Sequence, residues 1–429
     1  MIWNTIIFSS TTTLRAAGLS LFAAWLVGFA ALSAGPARAE DPIKIGFGMA
    51  LTGALAGAGK SALLSMEIWR EDVNAQGGLL GRPVEFVYYD DQTNPALVPG
   101  IYTKLINIDG VDLIVSGYGS VTIAPAMPIA MNYNRLFLSL FALAGNEEFR
   151  YDRYFQILPA GPQPRLAWSR GFFELAMSQD PQPKTVALVG ADAEFARNML
   201  LGARANAETA NLEVVYDRTY PMSTVDFTPI IRSIRATEPD IVYVASYPPD
   251  SAGIVRAISE VGIETQMLGG GMVGIQYASL MGSLGPLLNG IVNYDFWVPE
   301  PTLQFAGIEQ FLIKYQARAA DAGVDPLGYY LPPYAYAYLQ ILGQAVEATG
   351  TLDDAVLADY IHINSFQTVV GPVRFGEDGE WAETRILMVQ YQGIEEKGLE
   401  PFTRQGTRVV LYPENWVSGS LNYPYGGGN

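Results

Sequence analysis

The chain has 429 residues, a formal net charge of −17, a single histidine and no cysteine. That charge argues against nucleic acid and anionic membrane surfaces as partners. The missing thiol excludes a disulfide framework, thiolate chemistry and a cysteine-linked lipid anchor, and His362 alone makes no histidine-based metal site.

Residues 1–39 read as a cleaved secretory signal peptide. Arg15 precedes an apolar run from Ala16 to Ala31, and Ala37-Arg38-Ala39 supplies the small-x-small cleavage site, leaving Glu40 first. The alternative is an uncleaved anchor, since the run is just long enough to span a bilayer. About 390 residues follow, enough for two domains and for a core that needs no disulfide.

Ile43 to Met49 alternates as a first strand, and Leu51 to Gly59 reads as a glycine-alanine loop. Helix Lys60–Asn74, strand Val84–Tyr89, helix Pro95–Ile108 and strand Val111–Val115 follow, then Ser116-Gly117-Tyr118-Gly119-Ser120 and a helix from Ile123 to Tyr133. Leu136 to Leu140 is the next strand. Strands alternating with helices of this length predict a parallel sheet covered on both faces. The pattern restarts after Pro159-Ala160-Gly161-Pro162 and runs to the strand Ile291–Tyr294. Two long helices follow, Gln304–Ala322 and Leu331–Thr349, and a tail hairpin turns at Gly376 to Gly379. The expected architecture is two doubly wound α/β lobes joined by a three-segment hinge, with residues 40–160 and 294–370 in the first lobe and 161–293 and 371–429 in the second.

Ser120 stands where a strand of small residues ends and a helix begins. Unpaired amides and the positive end of a helix dipole meet its hydroxyl there, which suits a carboxylate. The plainer reading is a helix cap. Ala54 to Ser61 matches a relaxed phosphate-loop pattern, but an exported chain is a poor context for nucleotide chemistry. No nucleophile elbow, zinc helix or catalytic triad is present, so the reading is a binding protein without cofactor, metal or catalysis. Tyr330, Tyr334 and Tyr338 share a helical face and read as packing rather than ligand contacts.

One further pattern is specific. Ile43-Lys44-Ile45-Gly46 with Thr52-Gly53, the segment Asp72-Val73-Asn74-Ala75-Gln76-Gly77-Gly78-Leu79-Leu80-Gly81-Arg82-Pro83, then Tyr89-Asp90-Asp91, Asp226-Phe227-Thr228-Pro229 and Gly371-Pro372-Val373-Arg374-Phe375 resemble the Leu/Ile/Val-binding family. These are type I periplasmic solute-binding proteins of branched-chain amino acid ABC transporters. The resemblance covers nearly all of the chain after the signal peptide. It implies a ligand clamped between lobes, no enzyme activity, a periplasmic location and delivery to the permease subunits of an ABC transporter.

Carried over residue by residue, the resemblance gives Ser120 as the grip on a ligand carboxylate, with Gly119 beside it in the site and Tyr118, like Phe141, Phe195 and Tyr247, as a flat apolar wall. Phe141-Ala142-Leu143 occupies a turn that usually ends in a hydroxyl residue. Phe195 and Tyr247 supply the aromatics of the second lobe. Gly271 stands where a glutamate holds the α-ammonium, and Ala58 replaces an aromatic. An ammonium buried without a carboxylate partner would cost several kcal/mol. The expected ligand is therefore an organic acid with an aromatic or bulky apolar body and no α-amino group. The alternatives are an ordinary amino acid, with Asp192 or Asp250 taking the ammonium, and a ligand sensor serving a signalling partner.

Overall fold

The structure, a computed structural model, describes residues 41–426. The signal-peptide reading lies outside those residues. From Pro42 onward the described residues form one compact unit, and the description that follows is of that unit.

The first lobe is built on a five-stranded parallel sheet in the order β2-β1-β3-β4-β5. Its strands are β1 (Ile43–Met49), β2 (Val84–Asp90), β3 (Leu113–Tyr118), β4 (Phe137–Leu140) and β5 (Tyr154–Gln156). Its helices are α1 (Ala56–Ala75), α2 (Val98–Asn107), α3 (Ser120–Ile123) and α4 (Met127–Asn132), the last two joined by one 3-10 turn. β1 and β3 are buried nearly throughout, as expected of strands with helices on both faces.

The second lobe repeats the pattern. It contains α5 (Pro164–Met177), β6 (Thr185–Ala191), α6 (Glu194–Thr209), β7 (Glu213–Tyr220), α7 (Thr228–Arg235), β8 (Ile241–Ser246), α8 (Pro248–Val261), β9 (Met267–Met272), α9 (Ala278–Leu284) and β10 (Val292–Asp295). Its parallel strands run β7-β6-β8-β9-β10, the same order as in the first sheet. The chain then returns through α10 (Ile308–Ala322), α11 (Pro332–Thr349) and α12 (Asp354–Ile363), with α10 and α11 packed against α1.

The tail differs from expectation. β11 (Ser365–Thr368) pairs antiparallel with β12 (Gly371–Arg374), while β13 (Leu387–Tyr391) joins the second sheet beside β10 and carries β14 (Arg408–Tyr412) at its edge. The turn at Gly376–Gly379 therefore closes only a short antiparallel pairing, Phe375 opposite Trp381 with the Ala382 amide donating to the Arg374 carbonyl at 2.8 Å, and not one with Arg385–Gln392. It is tied to the first lobe: the Gln156 amide donates to the Gly379 carbonyl at 2.8 Å and the Asn146 amide nitrogen to the Asp378 carbonyl at 3.0 Å. β12 pairs only with β11, and the chain reaches the second sheet again at β13, after Thr384–Arg385. There the Arg385 amide donates to the Pro159 carbonyl of the first crossing at 2.8 Å.

Candidate functional site

In both sheets the order 2-1-3 makes successive connections leave in opposite directions, which opens a crevice at the carboxyl ends of the strands. The two crevices face one cavity, which encloses about 540 Å³ of atom-free space including its mouth. The first lobe lines it with Leu55 after β1, Tyr118 to Val121 after β3, Phe141 and Leu143 after β4, Leu158 after β5, and Tyr330 ahead of α11. The second lobe contributes Trp168 of α5, Phe195 at the start of α6, Tyr247 and Pro248 after β8, and Val273 after β9.

Local sequence explains the anchor end. Gly119 takes φ 95°, a left-handed conformation that glycine adopts without strain, and the helical run starts at the next residue. The Ser120 and Val121 amides, first in that helix, have no intrahelical acceptor. Ser120 is not a cap: its Oγ accepts the Leu143 amide at 3.1 Å, which ties β3 to the turn after β4 and leaves its own proton to donate.

That turn is strained. Phe141 sits at φ 67°, a conformation bulky residues rarely adopt and one that costs about 1–3 kcal/mol. Gln156, fully buried on β5, holds it: its Oε1 accepts the Phe141 and Leu158 amides at 3.1 Å each, and its Nε2 donates to the Ala142 carbonyl at 2.6 Å. The Phe141 ring is thereby placed against Phe296, Tyr330 and Tyr334, at 5.0, 5.6 and 5.3 Å between centroids.

Beside it the Tyr118 hydroxyl faces those of Tyr277 and Tyr330, and the Tyr330 hydroxyl lies 3.2 Å from that of Tyr294. Burial raises the pKa of all four, so they stay neutral donors and acceptors. Of the tyrosines after residue 329, Tyr334 and Tyr338 are core, bonding the Phe296 and Ser116 carbonyls, while Tyr330 lines the cavity.

Tyr118, Gly119, Ser120, Phe141, Leu143, Phe195 and Tyr247 thus line one cavity. Three sequence candidates do not. Ala142 points into the packing under the first sheet, beside Tyr154 and Tyr151. Ala58 lies on α1 and lines a smaller neighbouring cavity with Ser61 and Tyr277; Leu55 fills the cleft position instead. Gly271 lies inside β9, where a β-carbon would come within 2.2 Å of Met199 Cε on α6. The glycine run there is a packing device: a β-carbon on Gly269 would strike the Val292 carbonyl and one on Gly270 the Tyr243 ring. Val273, two residues on, is the cleft residue. Neither proposed substitute acid lines the cavity: Asp250 accepts the Tyr220 hydroxyl at 2.9 Å, and Asp192 pairs with Arg197 at 2.8 Å. Among the described residues no charged side chain lines it at all.

The phosphate-loop alternative also fails. Gly57, Gly59 and Lys60 are helical residues of α1, and Gly59 is glycine because the helix presses on the Ala50 carbonyl. His362 meets the Phe155 ring edge to face, 4.6 Å between centroids. Among the described residues no cluster could hold a metal ion and no helix is long and apolar enough to cross a membrane.

Residues 42–398 match the family model for periplasmic binding proteins. The Leu/Ile/Val-binding protein of Citrobacter freundii is 25% identical over 378 residues, covering 83% of this chain and 93% of its own. Among solved structures, a Streptococcus pneumoniae branched-chain amino acid substrate-binding protein in complex with isoleucine matches with a TM-score of 0.69 at 20% identity, over 86% of this chain and all (100%) of that one. A Rhodopseudomonas palustris ABC transporter solute-binding protein in complex with 4-hydroxybenzoate matches with a TM-score of 0.70 at 19% identity, over 83% and 95%. The chain belongs to the periplasmic binding protein family.

Proposed function

We propose that the protein is the extracytoplasmic substrate-binding component of an ABC importer, and that it clamps a carboxylic acid with an aromatic or bulky apolar body and no α-amino group for delivery to permease subunits. The observation that carries this reading is the cavity's inventory. One end offers a serine hydroxyl and two free helix-start amides, the walls are aromatic and aliphatic, and no acid is there to receive an ammonium. Relatives in complex with isoleucine and with 4-hydroxybenzoate make both ligand types reasonable for the fold. The absent acid favours the second type.

A thermal-shift and calorimetric panel of benzoate, 4-hydroxybenzoate, phenylacetate, leucine, isoleucine and valine tests it. A ligand at a hundred times its Kd adds about 2.7 kcal/mol of stability, so the binder stands out. Micromolar leucine, isoleucine or valine binding with inert aromatic acids would return the protein to amino acid binding.

A further inference from the structure

On the hinge side, away from the cleft, a second cavity encloses about 880 Å³ of atom-free space including its mouth and shares no lining residue with the first. Arg385, at the third crossing, lines it and is only 6% exposed. Its guanidinium lies 4.6 Å from the Trp381 ring centroid, 4.9 Å from Phe305 and 6.0 Å from Trp416, and one Nη donates to the Val370 carbonyl. No carboxylate pairs with it among the described residues.

Ring faces and a carbonyl compensate a buried cation only in part; an unneutralised guanidinium in such surroundings calls for a counter-charge. Two buried donors are also unspent: the Arg385 Nε–H and the indole N–H of Trp381, 4% exposed and lining the same cavity, have no hydrogen-bond partner. Arg374 and the Thr384 hydroxyl add a charge and a donor to the lining, and Glu383 is its one acid. A buried cation beside two unpartnered, buried N–H groups, at a cavity biased to donors, matches the charge and acceptor needs of an oxyanion.

We propose that this cavity binds a small oxyanion of the carboxylate, phosphate or sulfate kind, with Arg385 and Trp381 as its principal donors. The segments around it belong to the crossings. The Arg385 amide holds the Pro159 carbonyl of the first. Phe305, under the guanidinium, follows the second, and Thr302 of that stretch donates to the Trp416 carbonyl at 2.9 Å. An occupant therefore bears on the segments that move when the lobes open.

The test uses inorganic phosphate and, separately, sulfate, titrated into the whole protein with sodium chloride of matched ionic strength as reference. Calorimetry and melting temperature are the readouts. The expected result is saturable binding with a rise in melting temperature beyond the chloride control. Trp381→Phe keeps the ring against the guanidinium but removes the N–H, and weakens binding about tenfold or more; Arg385→Met abolishes it. Should Arg385→Met fail to fold, Trp381→Phe carries the test alone. A response that follows ionic strength without saturating, or equal phosphate affinity in Trp381→Phe and the parent, overturns the proposal.

Discussion

The two lobes share a strand order but line the cleft differently. The first lobe supplies directional polar groups at the strand end: the Ser120 hydroxyl, the amides behind it and a turn pinned by Gln156. The second supplies Phe195, Tyr247, Pro248, Val273 and Trp168, surfaces with shape and little charge preference. An anchor fixes one end of a ligand whatever its body, whereas a wall discriminates by what it fails to accommodate. On the proposed function, class recognition resides at Ser120 in the first lobe, and selectivity in the second lobe together with Phe141 and Tyr330 of the first.

The harshest way to break this contrast is to charge the apolar wall. Val273 is 4% exposed, and Val273→Glu would bury a carboxylate facing an acid ligand. A buried unpaired charge costs about 3–5 kcal/mol, so aromatic acid affinity by calorimetry falls roughly a hundredfold or more, and far less in the uncharged Val273→Gln. A gain in leucine affinity in Val273→Glu would place the missing ammonium partner at this position. Next comes the anchor. Ser120→Ala removes one hydrogen bond to a charged group, about 1.5–3 kcal/mol or ten- to more than a hundredfold in affinity. It also strips the Leu143 amide of its acceptor, so the ligand-free melting temperature drops as well. Unchanged affinity with a lowered melting temperature would make Ser120 a structural tie only.

Much of this was legible in the sequence, because strand-helix alternation is a local signal. The strand expected at 43–49 coincides with β1, and the helix expected at 331–349 lies within a residue of α11. Failures occurred where position depends on a distant partner. The Gly376–Gly379 turn looks like the tip of one hairpin, yet its flanking strands pair with β11 and with β10. In Gly269-Gly270-Gly271 the eye sees a missing side chain; only the approach of Val292, Tyr243 and Met199 shows why no side chain fits. Trp168 comes from a helix outside the strand-end motifs, and nothing local marked it or Gln156.

A milder substitution sharpens the contrast from the wall side. Phe195 meets Trp168 at 5.3 Å and Tyr247 at 6.0 Å, both edge to face. Aromatic pairs of this kind contribute about 0.5–1.5 kcal/mol beyond area burial. Phe195→Leu should therefore weaken ring-bearing acids about two- to tenfold while changing ring-free branched acids less. Equal losses for both, measured by calorimetry, would mean that the wall reads bulk rather than rings.

The smallest expected effect concerns a charge that both lobes keep out of the cleft. Glu380, 3% exposed at the turn bound to β5, has neither carboxylate oxygen hydrogen-bonded. Burial, reinforced by Asp378 and Glu147, raises its pKa well above the usual carboxylate value, and the Tyr154 hydroxyl is its neighbour on β5. A carboxyl with a raised folded-state pKa contributes stability that is fully present below its unfolded value of about 4.3. That stability is lost as pH rises through the folded value. Glu380→Gln, permanently neutral, should match the parent at pH 4 and melt higher at pH 8, by about 1–2 °C if roughly 1 kcal/mol is recovered. Ligand affinity should not follow, since Glu380 lines neither the cleft nor the Arg385 cavity. A melting difference that is flat from pH 4 to 8 would mean that Glu380 is paired in solution. A difference of the opposite sign would mean that its charged form is stabilised by the fold.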